Sequence, residues 1–442
     1  MMARLRLAAA VAALVAAVPT PAAGQQPTAP VRLSLDDAVS LALSHNDQIR
    51  VASATVDQAR GAVIQAEAAA LPKLDFAYNY ARNVQRPVIF FNQGGQVQQI
   101  SIGAANDNTF GLTLKQTLFD PGLVYATRAA KLAHQYASHA FDATKDQIAL
   151  AAKVAYYQVL LDSALVNVQQ QGLAQAQRRL DQVRQRAQAG LASEYDSLTA
   201  TVAVENLRPP LIAARSALKQ DRDQLKRTLG LALDTPLTLT DTLAYVPFER
   251  PGPQIVNQAL DSRPDVEAQR RMVQLREASV NVERGKAWPT LSLNLALQRH
   301  ASSAAFIPGE ADFSQSFQVG FSLGWSLFDG RASQGLILQD RAQLTAEKAR
   351  LAAKEKDVAL EVQQAADALD AAQAQVQAAR GTVGVANRAL EIAQTRFANG
   401  LATQVELGDA ELAATQAGTN YAQALFQFNV ARAQWTAALG SY

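Results

Sequence analysis

Hydrophobic positions along the chain follow two periods, and the switch from one to the other occurs twice in the same order. Leu74, Phe76, Tyr78 and Tyr80 alternate with Asp75, Ala77, Asn79 and Ala81, and Phe110, Leu112 and Leu114 alternate with Thr109, Gly111, Thr113 and Lys115. A period of two with one apolar side predicts strands over 72–81 and 108–119. The pattern returns in Leu291, Leu293, Leu295 and Leu297, then in Phe317, Val319, Phe321, Leu323, Trp325 and Leu327, predicting strands over 290–298 and 315–328. After each pair the spacing becomes seven: Ala152, Val159, Val166, Leu173, Leu180 and Ala187 first, then Val362, Leu369, Val376, Val383, Leu390 and Phe397. A sustained seven-residue repeat demands helices supercoiled left-handedly on their neighbours, and the many nearby alanines permit close approach.

Proline is absent from 123–189 and from 331–399, so each predicts one unbroken helix. Some 65 residues at about 1.5 Å each give a rod on the order of 100 Å, far longer than a compact domain needs. Gly190 and Gly400 sit where a left-handed C-cap ends these rods. Ser193 and Thr403 then offer N-caps for returning helices over 193–229 and 403–439. Each half thus holds a helical hairpin with a two- or three-residue tip. Pro209 and Pro210 predict a kink or break near Arg208 in the first returning helix only, since Thr419 and Asn420 take their place in the second. The stretches 82–105 and 298–313 read as exposed loops between strands.

The two halves are copies. Val39, Ala42, Leu43, Pro72 and Leu74 match Val256, Ala259, Leu260, Pro289 and Leu291 at an offset of 217, and Arg186, Gly190, Leu191 and Ala192 match Arg396, Gly400, Leu401 and Ala402 at 210. A unit this long is a duplicated domain and not a solenoid repeat. The first copy spans 25–230, a connector rich in Pro and Thr spans 231–263, and the second copy spans 264–442, opening with a helix over 264–287.

Composition narrows what such a plan can be. Arg4 and Arg6, an apolar run from Leu7 to Val18, and small residues at Ala22 and Gly24 make 1–24 a secretory signal peptide, with cleavage before Gln25. The chain has 41 Lys and Arg against 39 Asp and Glu; without the two leader arginines the balance is even, and no basic cluster suggests nucleic acid. There is no cysteine, which excludes disulfides, thiolate metal sites and an acylated N-terminal Cys. The mature part shows no apolar run near 18 residues, so a transmembrane helix is not expected; of the two structures lipid tolerates, that leaves a β-barrel. Half of the aromatics, 14 of 28, fall in 71–121 and 288–329, as interfacial girdles require.

Four strands cannot close alone in lipid, because two edges of unpaired backbone would remain. Two chains would give eight strands and a filled barrel; three would give twelve and room for water. Asp75, Asn79, Thr113, Ser292, Asn294 and Ser322 on the alternate face favour the wet interior.

The leader, the doubled plan of strands, long helix and hairpin, and the two Arg-x-x-x-Gly-Leu-Ala-Ser/Thr turns together resemble the TolC family of outer-membrane efflux proteins over essentially all of the mature chain. The resemblance implies an α+β membrane protein: a homotrimer sharing a 12-stranded barrel in outer-membrane lipid, with a coiled-coil helical tunnel across the periplasm. It implies docking of the tips, Arg186, Gly190, Leu191 and Ser193 with Arg396, Gly400, Leu401 and Thr403, to a periplasmic membrane-fusion adaptor whose partner is an inner-membrane pump. It also places a gate at Glu406 and Asp409, with Asp196 at the equivalent position of the first copy. Such a carboxylate ring should attract cations and show raised pKa values. The pattern's tyrosine is replaced by Phe397, which has no hydroxyl to latch a closed state.

Plainer readings stand beside these. Acidic pairs on helices are usually solvated, and a Gly-Leu tip can be only a turn, although paired exposed leucines favour a partner. His45, His134, His139 and His300 lack metal-ligand spacing, and no catalytic or cofactor-binding motif is present. The rival reading is an exported helical coiled-coil scaffold without channel activity. A periplasmic adaptor would instead show one hairpin and a lipoyl-like pair.

Overall fold

A four-stranded antiparallel sheet joins the two copies at one end of the molecule. The computed structural model describes residues 31–440 apart from 95 and 253, so the expected leader lies outside the described residues. In chain order the elements are β1 (Val31–Leu33), α1 (Leu35–His45), α2 (Asp47–Ala68), β2 (Lys73–Arg82), β3 (Val88–Gln93), β4 (Gln96–Ser101), β5 (Asn106–Phe119), α3 (Pro121–Gln188) and α4 (Glu194–Thr228). The second half follows with β6 (Leu237–Leu239), α5 (Ile255–Ser262), α6 (Pro264–Gly285), β7 (Thr290–Ser303), β8 (Phe313–Gly324), α7 (Ala332–Ala398) and α8 (Gln404–Ala438).

The sheet order is β2-β5-β7-β8, so the seam between copies is the β5–β7 ladder. Tyr78 faces Phe110, and Leu112 faces Leu297, which faces Phe317. Opposed residues in antiparallel strands share a face, so every apolar alternate falls on one side of the sheet. A bulge between Thr117 and Phe119 turns Phe119 back onto that side opposite Leu291.

Three strand expectations need correction. The segment 82–105 is not a bare loop: β3 and β4 form a hairpin inside it, closed at Gly94 with φ 67°, as two-residue hairpin turns require. The strand expected over 290–298 runs on to Ser303, because β5 continues opposite it to Asn106; only a short 3-10 turn at Glu310–Asp312 interrupts the rest of 298–313. The strand expected over 315–328 stops at Gly324, since β7 begins at Thr290 directly opposite and offers no partner beyond.

The seven-residue pattern reads onto the helical stalk as expected. Ala152, Val159, Val166 and Leu180 are buried along α3, as are Val362, Leu369, Val376, Leu390 and Phe397 along α7. Since α4 has 35 residues and α3 has 68, α4 covers only the tip half of α3. α2 and α6 pack along the half nearer the sheet, where Gly122 and Gly285 let the backbones meet: a Cβ on Gly285 would lie 2.7 Å from the Gly122 backbone. Contrary to the expectation of no such segment, a stretch of α3 is long and apolar enough by composition to cross a membrane. It belongs to a 68-residue amphipathic rod, not a separate span: Ala149, Ala152, Tyr156 and Val159 pack into a core shared with α1.

No break occurs at Pro209 and Pro210; α4 is continuous across both. Proline removes the bonds that Glu205 and Asn206 carbonyls would accept, but that face is exposed and water can serve them, while Val204 and Leu211 stay buried on the other side.

The connector is a belt. β6 pairs in parallel with β1, and the Tyr156 hydroxyl, fully buried, donates to the Leu33 carbonyl at 2.9 Å and to Asp241 Oδ2 at 3.0 Å. Burial first, then Asp241, pushes the Tyr156 phenol up to about 12. Further along, the Phe248 amide donates to Gln373 Oε1 at 2.7 Å, and Phe248 and Tyr245 stack against Trp435 and Phe428.

Candidate functional site

The tips of the two hairpins are built alike, and the local sequence dictates it. Leu191 donates its amide to the Arg186 carbonyl at 2.8 Å and Gly190 to Ala187 at 3.0 Å; Leu401 donates to Arg396 at 2.8 Å and Gly400 to Phe397 at 3.1 Å. This is the Schellman arrangement, which needs a left-handed residue, and Gly190 and Gly400 supply it at φ 71° and 74°. Leu191 and Leu401 are left 78% and 69% exposed, with Tyr195, Leu198, Val405 and Leu412 also exposed nearby.

The returning helices start with reciprocal capping boxes. Ser193 Oγ accepts from the Asp196 amide at 3.2 Å while the Ser193 amide donates to Asp196 Oδ2 at 2.9 Å. Thr403 and Glu406 repeat this at 3.2 Å in both directions. Asp196 and Glu406 are therefore the third helical residues, closing capping boxes, a role that Ser-x-x-Asp and Thr-x-x-Glu announce and that the gate reading passed over. The Ser193 hydroxyl and amide hold the Asp196 carboxyl below its ordinary value. Asp409 is exposed one turn beyond Glu406. Leu407 is buried, so Glu406 and Asp409 lie on the side of α8 turned away from the packed hairpins.

Phe397 lies in a core that draws on both hairpins, with Leu180, Val183, Ala200, Val204, Leu390 and Leu407. Arg186 reaches across: its Nη2 donates to the carbonyls of Phe397 at 2.5 Å and Ala398 at 3.1 Å, and its guanidinium sits 4.6 Å from the centre of the Phe397 ring. One guanidinium thus holds both the end of α7, through its carbonyls, and the Phe397 ring, through a cation–π contact. Arg396, its repeat mate, instead donates to Leu401 of its own tip at 3.1 Å.

Two further ties between hairpins were not foreseen. Gln404 Nε2 donates to Thr199 Oγ1. Arg179 Nη1 lies 2.8 Å from Glu411 Oε2, with the side chains 8% and 10% exposed. Gly408 makes room for that guanidinium, since a Cβ there would stand 2.5 Å from Arg179 Nη1. Burial pushes the Glu411 carboxyl up, against the pull of Arg179 and Arg178. Spacing alone gives no signal for a pair so far apart in sequence.

A sheet with one continuous apolar face, carried on hairpins of some 100 Å, defines a class: an outer-membrane protein that reaches from a bilayer through an aqueous compartment. The chain belongs to the outer membrane efflux protein family, whose pattern it matches over residues 38–231 and 255–441. It is 28% identical to protein CyaE of Bordetella pertussis over 326 residues, 72% of this chain and 65% of CyaE. It is 25% identical to the outer membrane protein OprJ of Pseudomonas aeruginosa over 397 residues, 84% of this chain and 77% of OprJ. The chain spans just under two thirds of CyaE. Its fold superposes on the Campylobacter jejuni CmeC outer membrane channel with a TM-score of 0.79 at 18% identity, covering 92% of this chain and 85% of CmeC.

Proposed function

We propose that three copies of the chain close their sheets into one 12-stranded barrel and their hairpins into one tunnel, making a passive exit duct across the outer membrane and periplasm. The carrying observation is the sheet: four strands, an apolar face and two outer edges, those of β2 and β8, with no strand partner among the described residues. In lipid each unpaired backbone group costs several kcal/mol, which sharing edges with further copies removes. The exposed Leu191 and Leu401 at the tips are the contact for a periplasmic adaptor, through which an inner-membrane pump supplies the energy. The duct carries out no catalysis of its own.

Glu406 and Asp409 line the narrow end, and the ties from Arg186, Arg179 and Gln404 hold each chain's hairpins closed there. Detergent-purified full chain should run as a trimer and conduct in planar bilayers, and Ala at both Glu406 and Asp409 should raise conductance and weaken divalent-cation block. A monomer that stays dissolved without detergent, the behaviour of a helical scaffold, would overturn the proposal.

A further inference from the structure

The apolar face of the sheet changes character at one end. Register sets Leu74, Leu114, Leu295 and Val319 in one row across it, Phe76, Leu112, Leu297 and Phe317 in the next, then Tyr78, Phe110, Arg299 and Gln315. The helices all join the sheet at the opposite end, beside Lys73, Phe119 and Thr290, so of these three rows that of Arg299 lies farthest from the stalk. Arg299 lies eight residues beyond Leu291, roughly 26 Å along the strand at about 3.3 Å per residue and on the order of 20 Å in height at a tilt near 40°. It stands near the top of a lipid-facing band, which in such barrels is ~25 Å tall.

Among the described residues on this face of the four strands, the only charged side chains are Arg299 and Arg82, two rows further out. Both are exposed, and neither makes an ion pair within the described residues. Arg299 is oriented: its guanidinium lies 4.7 Å from the centre of the Phe313 ring. Nearby hydroxyls are already committed, Tyr78 donating to Asn108 Oδ1 at 2.7 Å and Tyr80 to Asn106 Oδ1 at 2.8 Å. Asn108 is 4% exposed, and its Nδ2 has no acceptor. The two guanidiniums therefore stand at the outer rim with no acid on their face of the sheet, and the planar one fixed on a ring matches phosphate oxygens in pairs.

We propose that Arg299, flanked by Arg82, binds a phosphate of the phosphorylated glycolipid that forms the outer leaflet. This rests on the barrel reading, because only a sheet standing in the bilayer presents this rim to lipid. An arginine at that depth that merely snorkels to water would show no such preference.

Trimer purified in mild detergent is titrated with bis-phosphorylated lipid A, with its dephosphorylated form and with phosphatidylglycerol, and bound lipid is read by native mass spectrometry. The wild type should take up the phosphorylated glycolipid, bind the dephosphorylated form and phosphatidylglycerol at least tenfold less well, and lose roughly tenfold in affinity with Arg299→Gln. Arg299→Lys, which keeps the charge, should fall between. Equal binding of phosphorylated and dephosphorylated lipid A by the wild type overturns the proposal whatever the variants do, as does stronger binding of phosphatidylglycerol. Conductance of the same trimer in planar bilayers tests the barrel separately, so a conducting channel without phosphate preference sinks the lipid site alone.

Discussion

Removing Glu411 should open the narrow end, and the structure sets the scale. The Arg179–Glu411 pair joins α3 of one hairpin to α8 of the other at 2.8 Å, with nine-tenths of both side chains buried. Burial raises the Glu411 pKa despite its partner, so desolvation outweighs the attraction, and the intact pair adds little net stability. Breaking it is a different matter. Glu411→Ala leaves a guanidinium that cannot lose its charge, inside a packed seam, and such truncations cost about 3–5 kcal/mol. If that penalty falls on the closed arrangement of the hairpins, the closed-to-open ratio drops roughly a hundredfold or more. Single-channel recording of the trimer should then show long-lived high-conductance openings in Glu411→Ala. The double change Arg179→Met with Glu411→Met removes both charges while keeping volume, and should return the channel to near wild-type closure. If Glu411→Ala lowers thermal stability but leaves the open fraction unchanged, the pair is packing and not a latch.

Charged residues at Leu191 and Leu401 should abolish export while leaving trimer yield unchanged; export that persists would move the adaptor contact elsewhere. Gly400→Ala should destabilise the hairpin by about 1–2 kcal/mol purely through its left-handed backbone, since no atom lies within 4 Å of the added Cβ; a melting temperature equal to wild type would contradict this. Asp162, buried beside Asp221, has its carboxyl pushed up to about 7, burial being the main cause and Asp221 the next. A raised folded pKa means its stabilising share is fully present below the ordinary value of 3.8 and is lost as pH rises through about 7. Melting of the trimer across that window should therefore flatten with Asp162→Asn, and an unaltered pH slope would show that the α3–α4 packing does not depend on this proton.

The fold was legible where one period dominated. Strand alternation and the seven-residue helical spacing are both properties of burial, so the four sheet strands could be read from residues 74–80, 110–114, 291–297 and 317–327, and both long rods from 152–187 and 362–397. The β3–β4 hairpin escaped because its exposed faces impose no alternation: Phe90 and Phe91 are neighbours in sequence, and both are exposed. The break expected at the proline pair is absent for a related reason, since such disruption depends on whether the freed carbonyls meet protein or water, which sequence does not state. At the tips, the glycines and caps were readable from local geometry. The ties among Arg179, Arg186, Phe397 and Glu411 were not, because they span more than 200 residues and depend on how two hairpins lean together.

Duplication also explains why those ties are asymmetric. The two tips share the Schellman turn, the capping box and the arginine four residues before the glycine, so local chemistry alone would make Arg186 and Arg396 equivalent. They differ because α3 has the second hairpin as a neighbour through α8, whereas among the described residues the opposite flank of α7 has no comparable helix contact there. Arg186 has a foreign helix end to bond, and the partial negative charge of the last α7 carbonyls rewards a cation there. Arg396 has none and folds back on Leu401. In a closed ring of copies that free flank acquires a neighbour, so Arg396 is the group placed to report assembly. Arg396→Ala should weaken the trimer against dissociation while leaving the chain's own melting unchanged, and a loss in the monomer alone would refute the assignment.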